Sequence, residues 1–153
     1  MSYQAVILTV SDSCAAGTRT DTSGPVIRAM LENAGFAVQA MQTVPDEEGQ
    51  ISAAIVHACD ILQADLVVTT GGTGLSPCDV TPEATLAVLD REIRAIPVAM
   101  WVEGLKSTPR AMLSRAVAGI RGHTLVLNVP GSEKAARENL GAVVATLDHA
   151  LRM

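Results

Sequence analysis

The segment VVTTGGTGLSPCDVTPEAT, residues 67–85, places three glycines, five threonines and an aspartate behind a short apolar run. Residues this small fill little of a core, so their chemistry lies in the backbone. Glycines let the chain take positive φ and bring successive N–H groups close to an anion. Thr69, Thr70 and Thr73 add hydroxyl donors. The spacing matches neither G-x-x-x-x-G-K-[ST] nor G-x-G-x-x-G. A tight strand-to-helix turn is the plainer alternative. Asp79, followed by a Thr81-Pro82 helix start with Thr81 as N-cap, favours an anion site.

Three other short polar stretches follow apolar runs: Ser11-Asp12-Ser13, Pro45-Asp46, and Asn128-Val129-Pro130-Gly131-Ser132. Asp46 and Asp79 are candidate ligands for Mg²⁺, which takes one or two carboxylates and completes its shell with substrate phosphates. Each has a simpler alternative. Asp46 could complement a helix dipole, a task Glu47 and Glu48 could share, and Asp79 could stabilise a turn. Gly131 and Ser132 sit at a helix start, a second anion site that plain capping by Ser132 would not exclude. Ser114-Arg115 offer a hydroxyl and a guanidinium, the latter equally readable as a surface cation. His57, His123 and His149 fit no metal-ligand spacing. Met100 and Trp101 read as packing residues, and Cys78 has no partner histidine in sequence.

The elements that must position these groups alternate along the chain. Strands are expected at 3–10, 36–44, 65–70 and 124–129, each apolar and of strand length. Helices are expected from Pro25 to Gly35, over 45–64, from Thr81, over 97–106, and from 130 to the last residue. Residues 11–24 read as a polar loop, and 109–122 as a short helix followed by an extended piece. Alternating strands and helices imply βαβ units, hence an α/β fold: a three-layer α/β/α sandwich around a mostly parallel sheet. Residues 1–153 read as a single domain. Ligands of such sheets sit outside the carboxyl ends of the strands, where all four polar stretches lie.

Composition narrows the class. The chain has 153 residues, 48% hydrophobic, with one Trp, one Tyr and one Phe, so its core is aliphatic. A net charge of −5 and the lack of a basic run argue against nucleic acid. No apolar run is long enough for a membrane span, and the first residues lack the form of a signal peptide. Three cysteines without C-x-x-C spacing suit reduced thiols and a cytoplasmic location. A mean hydropathy of +0.31 leaves apolar surface that subunit contacts could hide.

TTGGTGLSPCDVTPEAT, with VPDE before it and MLSRAVAGIRG…LVLNVPGS after it, resembles the molybdopterin-binding family. It is most similar to the stand-alone MogA/MoaB-like molybdopterin adenylyltransferases, which are related to the G domains of gephyrin. The resemblance runs from Val6 to the last helix. It implies a homotrimer that adenylylates the terminal phosphate of molybdopterin from Mg-ATP, releasing pyrophosphate, with a molybdate-insertion protein downstream. It places Asp46 and Asp79 on the family's two essential acids and Ser114 on a substrate-contacting serine. Gly71, Gly72, Thr73 and Gly74, with Pro130, Gly131 and Ser132, fall on its ligand loops. Cys78 stands where the family commonly has arginine, and Glu133 where it commonly has proline. Arg19, Lys106, Arg115 or Lys134 could supply the displaced cation. Two alternatives stay open: a non-catalytic molybdopterin carrier of the same fold, and a competence-damage-type nucleotide pyrophosphate hydrolase, against which the lack of a second domain counts.

Overall fold

The computed structural model describes residues 2–153, Cys14 and Ala15 by their backbone alone. Six strands form one sheet in the order β2-β1-β3-β6-β5-β4. They are β1 (Gln4–Val10), β2 (Ala37–Val44), β3 (Leu66–Thr70), β4 (Arg91–Glu92), β5 (Ala118–Arg121) and β6 (Thr124–Val129). The first three and β6 run parallel; β5 and β4 form an antiparallel edge. The helices are α1 (Asp12–Ala15), α2 (Ser23–Asn33), α3 (Glu48–Val56), α4 (Thr81–Leu86), α5 (Ala95–Leu105) and α6 (Glu133–Arg152).

Both faces of the central strands are buried, which is why β1, β3 and β6 read as continuous apolar runs. Ala5, Ile7, Leu66, Val68, Leu125 and Leu127 pack under α2, α5 and α6. Val6, Leu8, Val10, Val67 and Val126 pack under α3 and α4. The expected three layers therefore form around an aliphatic core.

Chain direction across the sheet reverses between β1 and β3. From β1 the chain moves outward to β2, then returns to the other side of β1 to build β3 and β6. In sheets of this kind the crevice at that reversal is where ligands bind. Register aligns the strand ends there: Val10 pairs with Val44, Thr9 with Thr70, and Thr70 with Val129. The residues that follow, Ser11, Pro45, Gly71 and Pro130, consequently share one edge.

Several boundaries differ from expectation. Residues 12–15 form one helical turn within the expected loop, and α2 begins at Ser23, two residues before Pro25. The helix over 45–64 changes pitch at His57–Ile61, a π turn. Thr81 lies inside α4 rather than capping it; Val80 is the capping position and offers no side-chain oxygen. The 109–122 segment is a 3-10 turn (Pro109–Leu113) followed by β5. Cys59 is buried, which pushes its thiol up to about 11, whereas Cys78 is exposed. The thiol of Cys14 lies outside the described residues.

Candidate functional site

Glu47 decides the role of Asp46. Both Glu47 carboxylate oxygens accept from the first turn of α3, from Gly49 N at 3.0 Å and Gln50 N at 2.8 Å. The helix start is thereby capped, and Asp46 is released from that duty. Its carboxylate turns instead to the end of β1, accepting from Asp12 N at 3.1 Å, while Asp46 N donates to Asp12 Oδ1 at 2.8 Å. Burial pushes the Asp46 carboxyl above its ordinary value of 3.8, and the charges of Asp12 and Asp79 add to the effect against the hydrogen bond from Asp12.

The glycine loop leaves β3 at the sheet's reversal point. Gly71 and Gly72 adopt φ of +102° and +71°, a region other residues enter only with strain. A Cβ on Gly71 would collide with the Val10 carbonyl, and one on Gly72 with the Thr81 hydroxyl. That on Gly72 would also stand 3.3 Å from Asp46 Oδ1, and one on Gly74 2.8 Å from Asp79 Oδ2. The bare loop backbone is therefore a cradle against which the Val10 carbonyl, the Thr81 hydroxyl and the Asp46 and Asp79 carboxylates pack closely. Asp79 is also a turn residue: its Oδ2 accepts from Ser76 N at 3.0 Å, and its N–H donates to Ser76 O at 2.9 Å.

Two cavities open on this edge. The larger, about 640 Å³, lies between the glycine loop, the 3-10 turn and the start of α6. The smaller, about 300 Å³, lies between the ends of β1 and β3 and the segment from Arg19 to Ser23. Gly72, Asp79, Gly131 and Ser132 line both, so the cavities meet at the carboxylate and at the α6 N-terminus. Ser132 caps that helix, its Oγ accepting from Ala135 N at 3.2 Å.

Most of the expected site residues converge here. Ser11, Asp46, Thr70 and Gly71 line the smaller cavity, and Thr73, Gly74, Ser114 and Pro130 the larger. Thr70 also braces the loop, donating through Oγ1 to Pro130 O at 2.8 Å. Four expected residues, Asp12, Ser13, Arg115 and Asn128, line neither cavity; Asp12 is paired with Asp46. Asn128 is fully buried; it donates to Thr69 Oγ1 at 2.8 Å and Thr85 Oγ1 at 3.1 Å and accepts from Val117 N at 3.2 Å. It is a brace between β6, β3 and α4. Ser13 is exposed on α1. The Arg115 side chain is engaged by Gly74, Asp79 and Glu83.

Sequence reasoning missed other lining groups. Asp21 and Ser23 wall the smaller cavity, and Arg110 and Glu138 the larger. Asp21 closes its own turn, accepting from Thr9 Oγ1 at 2.8 Å and Gly24 N at 3.0 Å. The signal was present in DTSGP, where a Cβ on Gly24 would clash with Asp21. Arg110 carried no pattern at all. Of the suggested compensating cations, Arg19 and Lys134 reach cavities, while Lys106 is paired with Glu103 at 3.0 Å.

Two carboxylates beside two cavities repel each other and any anionic ligand, unless a cation lies among them. They are hard oxygen donors of the kind Mg²⁺ takes, and both line the smaller cavity of about 300 Å³. Among the described residues no three His, Cys, Asp or Glu side chains close a metal site. A cation held by Asp46 and Asp79 would draw its remaining ligands from phosphate and water.

Fold and site together define a class: a doubly wound α/β unit with a glycine-lined, carboxylate-flanked cleft at the reversal point of its sheet. The model of the probable molybdopterin binding domain matches residues 6–149, and the chain belongs to that family. It is 41% identical over 139 residues to a molybdopterin adenylyltransferase of Haemophilus influenzae, covering 90% of this chain and 71% of that one. It is 40% identical to the molybdenum cofactor synthesis protein cinnamon of Drosophila melanogaster, over 96% of this chain and 25% of that protein. The chain spans between 21% and 47% of the length of the larger curated relatives it matches. The crystal structure of the molybdopterin biosynthesis enzyme MoaB from Thermus thermophilus superposes with a TM-score of 0.93 at 49% identity, covering 97% of this chain and 94% of that one.

Proposed function

We propose that this chain acts as a single domain in molybdenum cofactor synthesis, transferring the adenylyl group of Mg-ATP to the terminal phosphate of molybdopterin. A phosphate oxygen of molybdopterin attacks the α-phosphorus of ATP. The bond from that phosphorus to the bridging oxygen breaks, and pyrophosphate leaves. The observation that carries this reading is the pair of cavities meeting at Asp79, Gly72 and Ser132, as a reaction between two anionic substrates requires.

The chain's own part is positioning and electrostatics. A phosphate monoester has its second pKa near 6, so the nucleophile is largely ionised at neutral pH and no protein base is needed. Asp46 and Asp79 would hold Mg²⁺, which neutralises phosphate charge when bound. Backbone N–H groups of the Gly71–Gly74 loop, with the start of α6 behind Ser132, face developing negative charge with fixed dipoles. Ser114 and Thr73 add hydroxyls on one side, and Ser11 on the other. Holding both substrates in line supplies most of the acceleration.

A homotrimer in the cytoplasm completes the reading, with a molybdate-insertion protein taking the product. Val98, Val102 and Leu105 form an exposed apolar stripe along α5, at spacings of four and three residues, which supports burial between subunits. Among the described residues no helix is long and apolar enough to cross a membrane. The test is incubation of the purified chain with molybdopterin and Mg-ATP, scoring pyrophosphate and adenylylated pterin. Pterin binding without product would replace this reading with a carrier, and nucleotide hydrolysis without pterin with a hydrolase.

A further inference from the structure

Arg115 hydrogen-bonds to three residues of the glycine loop and to Glu83. Its N–H donates to Thr73 O at 2.9 Å. Its Nε donates to Gly74 O at 2.8 Å, and Nη2 to Asp79 O at 2.7 Å. Nη1 donates to Glu83 Oε2 at 2.6 Å, and Nη2 reaches Glu83 Oε1 at 3.4 Å. One residue therefore fastens Thr73, Gly74 and Asp79 of the loop and the first turn of α4. An arginine that binds phosphate presents two parallel donors to it. Here those donors are spent on the protein, and Arg115 lines neither cavity.

The Arg115–Glu83 pair is partly exposed, with side-chain exposures of 36% and 46%, and pairs in such settings add little to stability. Its effect is geometric. Between Gly74 and Asp79 the loop has no element of regular structure and only local turns through Ser76. The guanidinium ties both ends of that span to one point, inside the backbone bond from Thr81 N to Gly72 O at 3.1 Å. A lysine could not replace it, because a single ammonium lacks the fork that reaches three separated acceptors.

We propose that Arg115 is a positioning residue, a latch that sets where the Asp79 carboxylate stands relative to Asp46 without touching substrate. This rests on Asp79 acting in the proposed reaction, and the measurements below separate the two ideas. The chain and its Arg115→Gln, Arg115→Lys and Glu83→Ala variants are compared by hydrogen–deuterium exchange over residues 72–83 without substrate, and by kcat and KM for ATP. Arg115→Gln should speed exchange at 74–79 about tenfold and lower kcat about 100-fold, the cost of a misplacement near 1 Å, with KM for ATP little changed. Arg115→Lys should resemble Arg115→Gln rather than the parent, and Glu83→Ala should move both readouts in the same direction by less. Unchanged exchange in Arg115→Gln would overturn the proposal. So would a raised KM at unchanged kcat, the mark of a guanidinium that binds phosphate. Should Arg115→Gln not fold, exchange in Glu83→Ala, altered only at an exposed side chain, decides alone. If the parent shows no adenylyl transfer, exchange still tests the latch and only the proposed function fails.

Discussion

Asp12 and Asp46 exchange hydrogen bonds, each backbone N–H donating to the other's carboxylate, at 2.8 Å and 3.1 Å. The exchange joins the ends of β1 and β2 and holds two acids side by side. With Asp79 also acting on Asp46, the Asp46 carboxyl is held above 3.8 mainly by burial. The folded state therefore keeps a proton that the unfolded chain gives up, so this group contributes stability at low pH that is lost as pH rises through its folded value. A divalent cation reverses that penalty, because it binds the ionised form.

Divalent-ion affinity should accordingly rise with pH above 3.8 and level off once Asp46 has ionised. Calorimetric titration with Mg²⁺ alone, repeated between about pH 4 and pH 7, measures the slope. Asp46→Asn should weaken binding and flatten the slope. A slope that survives in that variant would assign the titration to another group. Chelator treatment should lower the melting temperature more at pH 7 than at pH 4.

Asp79→Asn should separate turn from chemistry. Asparagine keeps a side-chain oxygen to accept from Ser76 N–H, so stability should change by about 0.5 kcal/mol or less. Loss of the charge should cut turnover by about two to three orders of magnitude while molybdopterin still binds. Near-normal turnover with an unchanged melt would reduce Asp79 to a turn residue.

Gly71→Ala should act through the fold. The residue would be held at φ +102° with its Cβ against the Val10 carbonyl, and backbone has little freedom to retreat at the reversal point. A loss of about 2–3 kcal/mol is expected, read from urea unfolding midpoints at constant slope. Wild-type stability would mean that the loop relaxes and the cradle is softer than its contacts imply.

Light scattering should give a mass three times the 15.9 kDa of one chain. Val102→Asp, placing a charge on the exposed α5 stripe, should shift that mass toward the monomer. A parent that scatters as a monomer at micromolar concentration rules the trimer out.

Apolar periodicity alone determined the alternation of strands and helices, because a segment's pattern records which of its own faces is buried. Strand ends then pointed to Asp46, the glycine loop, Asp79 and Ser132, since parallel βαβ units bring those ends to one edge. Tertiary structure alone decided what each group contacts there. Glu47 and Asp46 are adjacent acids before one helix, and only the cap from Glu47 to Gly49 and Gln50 shows which is free. Arg115 is a cation in sequence and a latch in space, because its acceptors lie between 32 and 41 residues away. Thr81 has the type of an N-cap, yet α4 starts one residue earlier than such a cap requires. The antiparallel β5–β4 edge also escaped, since a two-residue strand has no period to read. Local pattern reports a residue's own burial; partners distant in sequence are chosen by packing, which no local pattern encodes.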